Sequence, residues 1–357
     1  MRLTSLTIED LRNLSQVKLQ CHRDVNIIYG ANASGKTSLL EAISLLSTAR
    51  SFRVTAMRQL IQQGKGQCLS HGEVQHRGHI NRIGVCLSPK GKQIRMNGQR
   101  LSKLAELAAS FPLQILHPGG IKLLEQGPKC RRQFLDWGVF HVEPGFLDSW
   151  RRYARCLKQR NAALRSSDVA AVKAWEPDLA SASQQVHQLR SDYARQLAPI
   201  WQDYSRRLLG PEDLEIQYHA GWDVALPLEQ QYQDNLSTDR HRGYTSVGAH
   251  RGDMALLSHG VAVQEYFSRG QQKLLICALR LAQAQILKRR LDRNCIFLID
   301  DLPAELDEQH RRRLLLELAR LDSQIFVTST DPELVPISPG QPHKMFHVKH
   351  GQVQEVV

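Results

Sequence analysis

The sequence Gly30-Ala31-Asn32-Ala33-Ser34-Gly35-Lys36-Thr37 has the pattern GxxxxGKT and is the strongest indication of the fold. Val25–Tyr29, directly before it, is apolar like a buried strand, and Thr37–Ile43 has the apolar spacing of a helix. The glycines therefore lie at a strand-to-helix turn, the context in which this pattern binds phosphate groups. Backbone N–H groups of such a loop point at phosphate oxygens, with the positive end of the helix dipole behind them. We expect a nucleotide site here; the alternative is a glycine-rich turn that holds no nucleotide.

Side chains from two distant segments complete the expected site. Lys36 supplies a cation for the β- and γ-phosphates, and the Thr37 hydroxyl supplies a ligand for Mg²⁺. Far downstream, the apolar stretch Cys295–Asp301 reads as a strand that ends in two carboxylates. Asp300 is predicted to hold Mg²⁺ directly or through water, and Asp301 to orient or deprotonate the attacking water. Acids at strand ends also cap helices, so this assignment depends on their pairing with Lys36. A nucleoside triphosphate and Mg²⁺ are the expected cofactors, and the resemblance described below implies that the nucleotide is ATP.

A long insertion separates the two halves of this site. Residues 1–120 read as an α/β unit with antiparallel additions, including strand candidates at Ile80–Leu87 and Gln93–Met96. Residues 121–242 read as a helical arm. The α/β character returns in residues 243–357, which end in a predicted hairpin at Lys344–Val357. The arm therefore interrupts one domain that both starts and finishes the chain.

Two apolar stripes predict a helical hairpin within the arm. The first has the seam spacing of a helix packed along another helix and consists of Leu147, Trp150, Ala154, Leu157, Asn161 and Leu164. The second follows Glu176-Pro177-Asp178, which resembles a helix start. Pro199 is expected to kink or interrupt this second helix. The helices would join near Ser166–Trp175. The arm either protrudes or packs flat on the core, since periodicity indicates packing and not protrusion.

Composition favours a reduced compartment and a polyanionic partner. The chain has 357 residues, 42% of them hydrophobic, which is enough for a large core and two domains. The net charge of +12 favours a partner such as nucleic acid, although a basic chain can also be merely soluble. The seven cysteines form no CxxC pair, which argues against disulfides and a zinc site. The N-terminus lacks a signal-peptide core, and no apolar run approaches the roughly 20 residues needed to cross a bilayer. The cytosol is the expected location.

A second motif precedes a strong helix upstream of the acidic strand. Ser268-Arg269-Gly270-Gln271 resembles the SxGQ signature of the ABC-type ATPases. In that superfamily the signature contacts the γ-phosphate held by a second subunit, so the resemblance implies an ATP-dependent head-to-tail dimer. The alternative is an ordinary serine that caps the following helix. Ala304-Glu305-Leu306-Asp307, just after the acids, resembles the D-loop of the same superfamily.

Several segments together resemble the RecF family of bacterial ABC-type ATPases related to SMC proteins. They are Leu6–Leu14, Gly30–Thr37, Gly127–Trp137, Leu157–Asn161 and Ser268–Lys273, and the resemblance covers essentially the whole chain. It implies an α/β fold, an ABC-type ATPase head (a P-loop NTPase with a parallel sheet plus an antiparallel β subdomain) with an inserted helical arm. It further implies recombinational repair and replication restart on gapped DNA, with RecO and RecR as partners, loading of RecA, and support of the SOS response.

Three departures from the wider ABC pattern suit a slow switch better than a fast motor. The signature has Arg269 where transporters usually have glycine, and Asp301 replaces the common glutamate. The strand at Ile325–Val327 is followed by Thr328 to Asp331, without the histidine that usually senses the γ-phosphate. The resemblance therefore implies weak, DNA-stimulated ATP hydrolysis that resets the dimer.

Two alternative functions are the ATPase subunit of a membrane transporter and a monomeric P-loop enzyme such as a small-molecule kinase.

The arm also carries the candidate DNA contacts. Arg151, Arg155 and Lys158 fall on one helical face, which can follow a phosphate backbone without reading bases. Arg131 and Arg132 are further candidates. Each basic run could instead be a solvated surface. The sequence leaves open whether single strands, duplex or their junction is preferred.

Overall fold

The computed structural model describes residues 1–166, 168–338 and 340–356. The chain forms two compact units, Met1–Gly120 with Leu287–Val357, and Ile121–Ile286. By contacts, residues 243–286 belong to the second unit. The division into a head (1–120 and 243–357) and an arm (121–242) is drawn from sequence and stays a prediction.

The elements of the first unit come from both ends of the chain. The N-terminal segment contains β1 Arg2–Leu11, β2 Leu14–Gln20, β3 Val25–Tyr29, α1 Lys36–Thr48, β4 Cys68–His76, β5 His79–Ser88, β6 Gly91–Met96, β7 Gln99–Arg100, α2 Leu104–Ser110 and β8 Leu113–Leu116. The second unit contains α3 Lys122–Glu125, α4 Pro128–Val142, α5 Phe146–Ser166, α6 Val169–Leu208, β9 Leu214–His219, α7 Leu228–Asp234, α8 Leu236–Arg242, β10 Asp253–Ser258, β11 Val261–Ala262, α9 Val263–Tyr266 and all but the last turn of α10 Arg269–Leu291. The chain then returns with β12 Ile296–Ile299, α11 Leu302–Glu305, α12 Glu308–Arg320, β13 Gln324–Ser329, β14 His343–Lys349 and β15 Gln352–Val356. Short 3-10 helices lie at Met57–Leu60, Pro118–Ile121 and Pro332–Leu334.

A mostly parallel sheet positions the predicted nucleotide site. Its strand order is β15-β14-β3-β13-β12-β8, and every neighbouring pair is parallel except β14 with β15. β13 therefore lies between β3, which leads into the glycine-rich loop, and β12, which leads into the two acids. The carboxyl ends of these three strands meet at one edge of the sheet, where open α/β sheets bind their ligands.

An antiparallel sheet packs on the other side of helix α1. Its strand order is β2-β1-β4-β5-β6-β7. Leu39, Ala42 and Leu46 of α1 are fully buried because the helix contacts strands of both sheets. Gly72 of β4 allows this close approach, since a Cβ there would lie 2.5 Å from the Leu46 side chain. The parallel and antiparallel parts of the predicted fold class are confirmed.

The predicted start of the second arm helix is wrong. α6 begins at Val169, where the Asp168 side chain caps it by accepting a hydrogen bond from Ala171 N at 3.0 Å. Pro177 and Pro199 both lie inside this helix and neither ends it. A proline in the interior of a helix costs about 3 kcal/mol, and the burial of many apolar residues on the same helix offsets that cost. The predicted junction at 166–175 includes residue 167, which lies outside the described residues, as does residue 357 of the predicted C-terminal hairpin.

The predicted seam of α5 is also wrong. The buried residues of this helix are Phe146, Tyr153, Cys156, Arg160, Ala163 and Leu164. Of the predicted seam only Leu164 is buried, and Trp150 is 41% exposed. Two neighbouring stripes of α5 have nearly the same helical spacing. The stripe that is buried contains the charged residue Arg160, so a prediction based on apolar residues favours the other stripe. Within the described residues, no helix has the length and apolar character to span a membrane.

Candidate nucleotide site

The glycine-rich loop has a backbone that only glycine adopts without strain at two positions. Gly30 and Gly35 have φ angles of +147° and +124°. A Cβ at Gly30 would lie 2.2 Å from the carbonyl oxygen of Val348, so a side chain is also excluded by contact. Helix α1 begins at Lys36, directly after Gly35. The loop therefore joins β3 to the N-terminus of a buried helix, as its sequence predicts.

Two distant turns hold the loop in place. Asn13, in the turn between β1 and β2, donates from Nδ2 to Ser34 O at 2.9 Å and accepts from Ser38 Oγ at 3.0 Å. Gly351, in the turn between β14 and β15, donates its N–H to the same Ser34 oxygen at 2.9 Å. Sequence reasoning assigned no site role to either residue. Both turns were recognisable, but their contact with the loop depends on strands that are far apart in the chain.

Lys36 is a partly desolvated cation inside this loop. Its Nζ donates to the carbonyl oxygens of Gly30 and Ala31 at 2.7 and 2.9 Å. Burial lowers the pKa of Lys36, and the charges of Asp301 and Asp300 act in the opposite direction. An anion beside the ammonium would stabilise its charged form.

The surrounding cavity fits a phosphate chain. It has a volume of about 340 Å³ and is lined by Asn13, Asn32, Ala33, Gly35, Lys36, Thr37, Ser38, Arg53, Asp300, Asp301 and Thr328. The Ser34 hydroxyl is buried without a hydrogen-bond partner among the described residues. A buried donor of this kind is unfavourable unless an acceptor reaches it. The Lys36 cation and the helix N-terminus, which both lie on this cavity, match a bound polyphosphate.

Asp300 and Thr37 meet although they come from opposite ends of the chain. Thr37 Oγ1 donates to Asp300 Oδ1 at 2.9 Å, and Thr328 Oγ1 donates to the same oxygen at 2.9 Å. Burial raises the pKa of Asp300, against the opposing effect of these hydrogen bonds. A hydroxyl and a carboxylate in this arrangement are oxygen ligands suited to Mg²⁺, which usually takes few protein ligands beside a phosphate. The residues present therefore fit the ion, although no cluster of three or more His, Cys, Asp or Glu side chains within the described chain could hold a metal alone.

Thr328 links both acids and was not predicted as a site residue. Besides its bond to Asp300, its hydroxyl accepts the Asp301 N–H at 2.7 Å. Asp301 has a left-handed backbone with φ +56°, which turns the chain at the end of β12. The signal for Thr328 was its place at the end of a buried strand, but only the strand order puts β13 between the loop and the acids. Arg53, which also lines the cavity, carried no recognisable sequence signal.

The signature segment is exposed in the second unit. Ser268 Oγ accepts from Gln271 N at 3.4 Å, and Ser268 N donates to Gln271 Oε1 at 3.0 Å, which forms a reciprocal cap at the start of α10. Arg269 is exposed and lies 3.5 Å from a carboxylate oxygen of Glu125. The capping role is therefore present, and the predicted contact with a second subunit stays a prediction.

The D-loop segment has a similar local role. Ala304 and Glu305 lie in α11, and Asp307 caps α12 by accepting from His310 N at 2.9 Å. This hydrogen bond, with the His310 side chain, lowers the pKa of Asp307. Its predicted role at a subunit interface stays a prediction.

The candidate DNA contacts divide into two groups. Arg151, Arg155 and Lys158 are exposed on α5, with Arg151 3.6 Å from Asp148. Arg131 instead forms two hydrogen bonds of 2.8 Å to the Asp253 carboxylate and is largely buried. Its charge is therefore matched inside the unit, and its contact with DNA stays a prediction. Arg132 is half-buried and donates to the carbonyl oxygen of Gly252 at 2.7 Å.

Comparison with known proteins places this geometry in a family. Residues 2–354 match the family described as RecF/RecN/SMC N terminal domain. A protein of Pseudomonas paraeruginosa named DNA replication and repair protein RecF is 41% identical over 361 aligned residues, covering 99% of this chain and 98% of the relative. A solved structure described as the recombination mediator protein RecF with ATP in the RecFOR pathway has a TM-score of 0.88 at 27% identity, covering 100% of this chain and 98% of that one. An SMC head bound to the C-terminal winged-helix domain of ScpA, at 14% identity, 100% and 97% coverage and a TM-score of 0.62, shares the fold. The chain belongs to the RecF family, within the group of RecF, RecN and SMC N-terminal domains.

Proposed function

We propose that the protein is an ATP-dependent DNA-binding switch of recombinational repair and replication restart. The observation that carries this proposal is the meeting of Lys36, Thr37 and Asp300 at one sheet edge, in a chain that is 41% identical to a RecF protein over nearly its whole length. Bound ATP supplies a triphosphate anion whose hydrolysis, slow and stimulated by DNA, ends the bound state. Lys36 and the loop N–H groups bind that anion, Thr37 and Asp300 hold Mg²⁺, and Asp301 orients a water molecule.

We further propose that the nucleotide controls dimerisation. Ser268, Arg269 and Gly270 are exposed at the start of a long helix, so they are accessible to a second copy of the chain. A serine hydroxyl, a glycine N–H and a helix N-terminus together form a suitable cap for a phosphate held by that copy. The dimer would act on gapped DNA in the cytoplasm.

The proposed partners follow from family membership. The neighbouring ATP-bound structure is described as a mediator of the RecFOR pathway. We propose RecO and RecR as direct partners and the loading of RecA onto single-stranded DNA, with support of the SOS response, as the outcome. No observation favours the transporter subunit or the P-loop kinase.

ATP with Mg²⁺ is expected to convert the monomer to a dimer in sedimentation velocity. Lys36→Ala removes the cation that binds the phosphates. Ser268→Arg places a large side chain where the signature would contact the second copy. Each variant alone should therefore remain monomeric with ATP. Ser102→Arg adds the same side chain at an exposed position of the first unit and should dimerise like the unchanged protein.

Mixing the two inactive variants tests the sharing of sites between subunits. In a mixed dimer one site carries both changes, and the other combines an unaltered Lys36 with an unaltered Ser268. The mixture should therefore recover ATP-dependent dimer that neither variant forms alone. A mixture that stays monomeric at concentrations well above those that the unchanged protein needs would reject sites formed by two subunits. Identical mass of the unchanged protein with and without ATP would reject the switch.

DNA affinity is expected to fall steeply as salt rises, because the proposed contacts are made to phosphates. In fluorescence anisotropy, reversing the charges of Arg151, Arg155 and Lys158 to glutamate should weaken binding to all sequences alike and reduce the log–log salt slope by about 2–3. A control with the same change in net charge alters exposed cations of the first unit, namely Lys90, Arg100 and Lys103. A flat salt response, or an equal effect of both sets, would contradict contact through α5.

A further inference from the structure

A cavity in the second unit has no part in the nucleotide site. Its volume is about 460 Å³, within the range of ligand pockets. One wall is a stripe of α5 that carries Trp150, Leu157, Lys158 and Asn161. The sequence predicted Trp150, Leu157 and Asn161 as part of a packed helix seam, whereas in the structure they line an open cavity.

The cavity has an excess of positive charge. Four cations on its lining form no ion pair with a carboxylate among the described residues, and they are Lys129, Arg132, Lys158 and Arg165. Arg190 also lines it, but hydrogen bonds of 2.7 and 2.9 Å to the Asp136 carboxylate balance its charge. The remaining lysine and arginine charges make the cavity suited to an anion.

An exposed aromatic ring lies on the same lining. Trp150 is 41% exposed, and Ala154 and Leu157 extend the apolar surface one and two turns further along α5. Asn161 is held in place because its Oδ1 accepts from Thr245 N at 2.8 Å and from Thr245 Oγ1 at 2.7 Å. An apolar wall with a flat ring beside several cations suits a ligand that combines a planar ring with phosphate groups.

We propose that this cavity binds one unpaired nucleotide of single-stranded DNA, with its base against Trp150 and its phosphates beside Lys158 and Arg165. The inference rests on the proposed DNA-binding function and adds a preference for strands with accessible bases. A base inside a duplex must first be unstacked to reach such a cavity, which disfavours intact duplex. An acidic peptide would use the cations and leave the ring without a role, so the combined lining favours a nucleotide.

The decisive probe is a single strand that lacks bases. Oligothymidylate and an abasic oligomer of equal length carry the same phosphates, so their affinities for the full chain differ only by what the bases contribute. The unchanged protein should bind oligothymidylate about tenfold more tightly, the size of effect that stacking one base on an aromatic ring produces. Trp150→Ala should remove this preference and leave affinity for the abasic oligomer unchanged, whereas Trp150→Phe should largely retain it. Tyr266→Ala, which removes another exposed ring of the same unit, should have no effect.

Tryptophan fluorescence gives a second readout that does not depend on affinity. Oligothymidylate should quench the emission of the unchanged protein, and this quenching should disappear in Trp150→Phe. Equal affinity for base-bearing and abasic strands would overturn the nucleotide cavity. Equally strong competition by polyglutamate would also overturn it, in favour of an acidic protein partner. If salt-dependent duplex binding survives while the base preference is absent, the cavity proposal alone fails; if no DNA binds, the proposed function fails with it.

Discussion

Replacing Arg160 with methionine is expected to lower the free energy of unfolding by about 3–5 kcal/mol, the cost of breaking a buried ion pair by removing one partner. Arg160 is fully buried on α5, where its guanidinium donates to Glu176 at 2.9 Å and to Asp239 at 2.8 Å. It also donates to Thr245 Oγ1 at 2.9 Å. Methionine keeps much of the volume and leaves two buried carboxylates without their cation. Urea denaturation followed by circular dichroism measures the loss.

The matched control is two positions earlier on the same helix. Lys158 is exposed, so Lys158→Met should change the stability by less than about 0.5 kcal/mol, as is usual for surface positions. Lys158→Met should also weaken DNA binding, because Lys158 is an exposed candidate DNA contact. Arg160 is fully buried and is not one of these contacts. Arg160→Lys keeps the charge with fewer donors and should give an intermediate loss, which remains measurable if the methionine variant fails to fold. Equal stability of the Arg160 and Lys158 variants would contradict the structural role of Arg160.

Replacing Gly351 with alanine is expected to weaken ATP binding at least about tenfold, equivalent to about 1.4 kcal/mol. Gly351 has φ +78°, and a Cβ there would lie 2.0 Å from the backbone oxygen of Asn13. The hairpin turn would have to move away from the β1–β2 turn. That movement would break the Gly351 N–H bond to Ser34 O and disturb the Asn13 contacts that hold the phosphate loop. Isothermal titration with a non-hydrolysable ATP analogue measures the change.

Gly98 separates steric overlap from backbone strain. It has a similar φ of +81° in the turn between β6 and β7, and a Cβ there would meet no atom within 4 Å. Gly98→Ala therefore introduces only the strain of an alanine in the left-handed region, about 1–2 kcal/mol, and this variant should bind ATP normally. ATP affinity that falls equally in both variants, or in neither, would show that the C-terminal hairpin does not support the loop.

The local elements of the nucleotide site could be predicted from sequence because each is defined by neighbouring residues. β3, the glycine-rich loop and α1 follow one another directly, and an apolar run that ends in two acids marks β12. The C-terminal hairpin around His350 was also recognisable from its turn. In each case the turn-forming residues and the regular spacing of apolar residues lie within a few neighbouring positions of the sequence.

The arm shows where such local reasoning fails. Nothing in the sequence indicates that Arg160 and Arg131 form ion pairs with Asp239 and Asp253, which lie 79 and 122 positions further along the chain. Pro177 was read as a helix start, although packing along α6 carries the helix through it. A charged residue by itself prefers solvent, and a proline by itself disfavours the interior of a helix. A carboxylate partner or extensive packing in the folded protein can outweigh either preference.

By itself, the sequence determined the phosphate loop, its acidic counterpart and the two kinds of β structure around them, because short-range backbone geometry and hydrophobic period specify these features. Only the tertiary structure decided that Thr328 joins both acids, that Asn13 and Gly351 hold the loop, and that the Trp150 stripe faces a cavity. The reason is that these contacts follow from strand order and helix packing, in which residues hundreds of positions apart become neighbours.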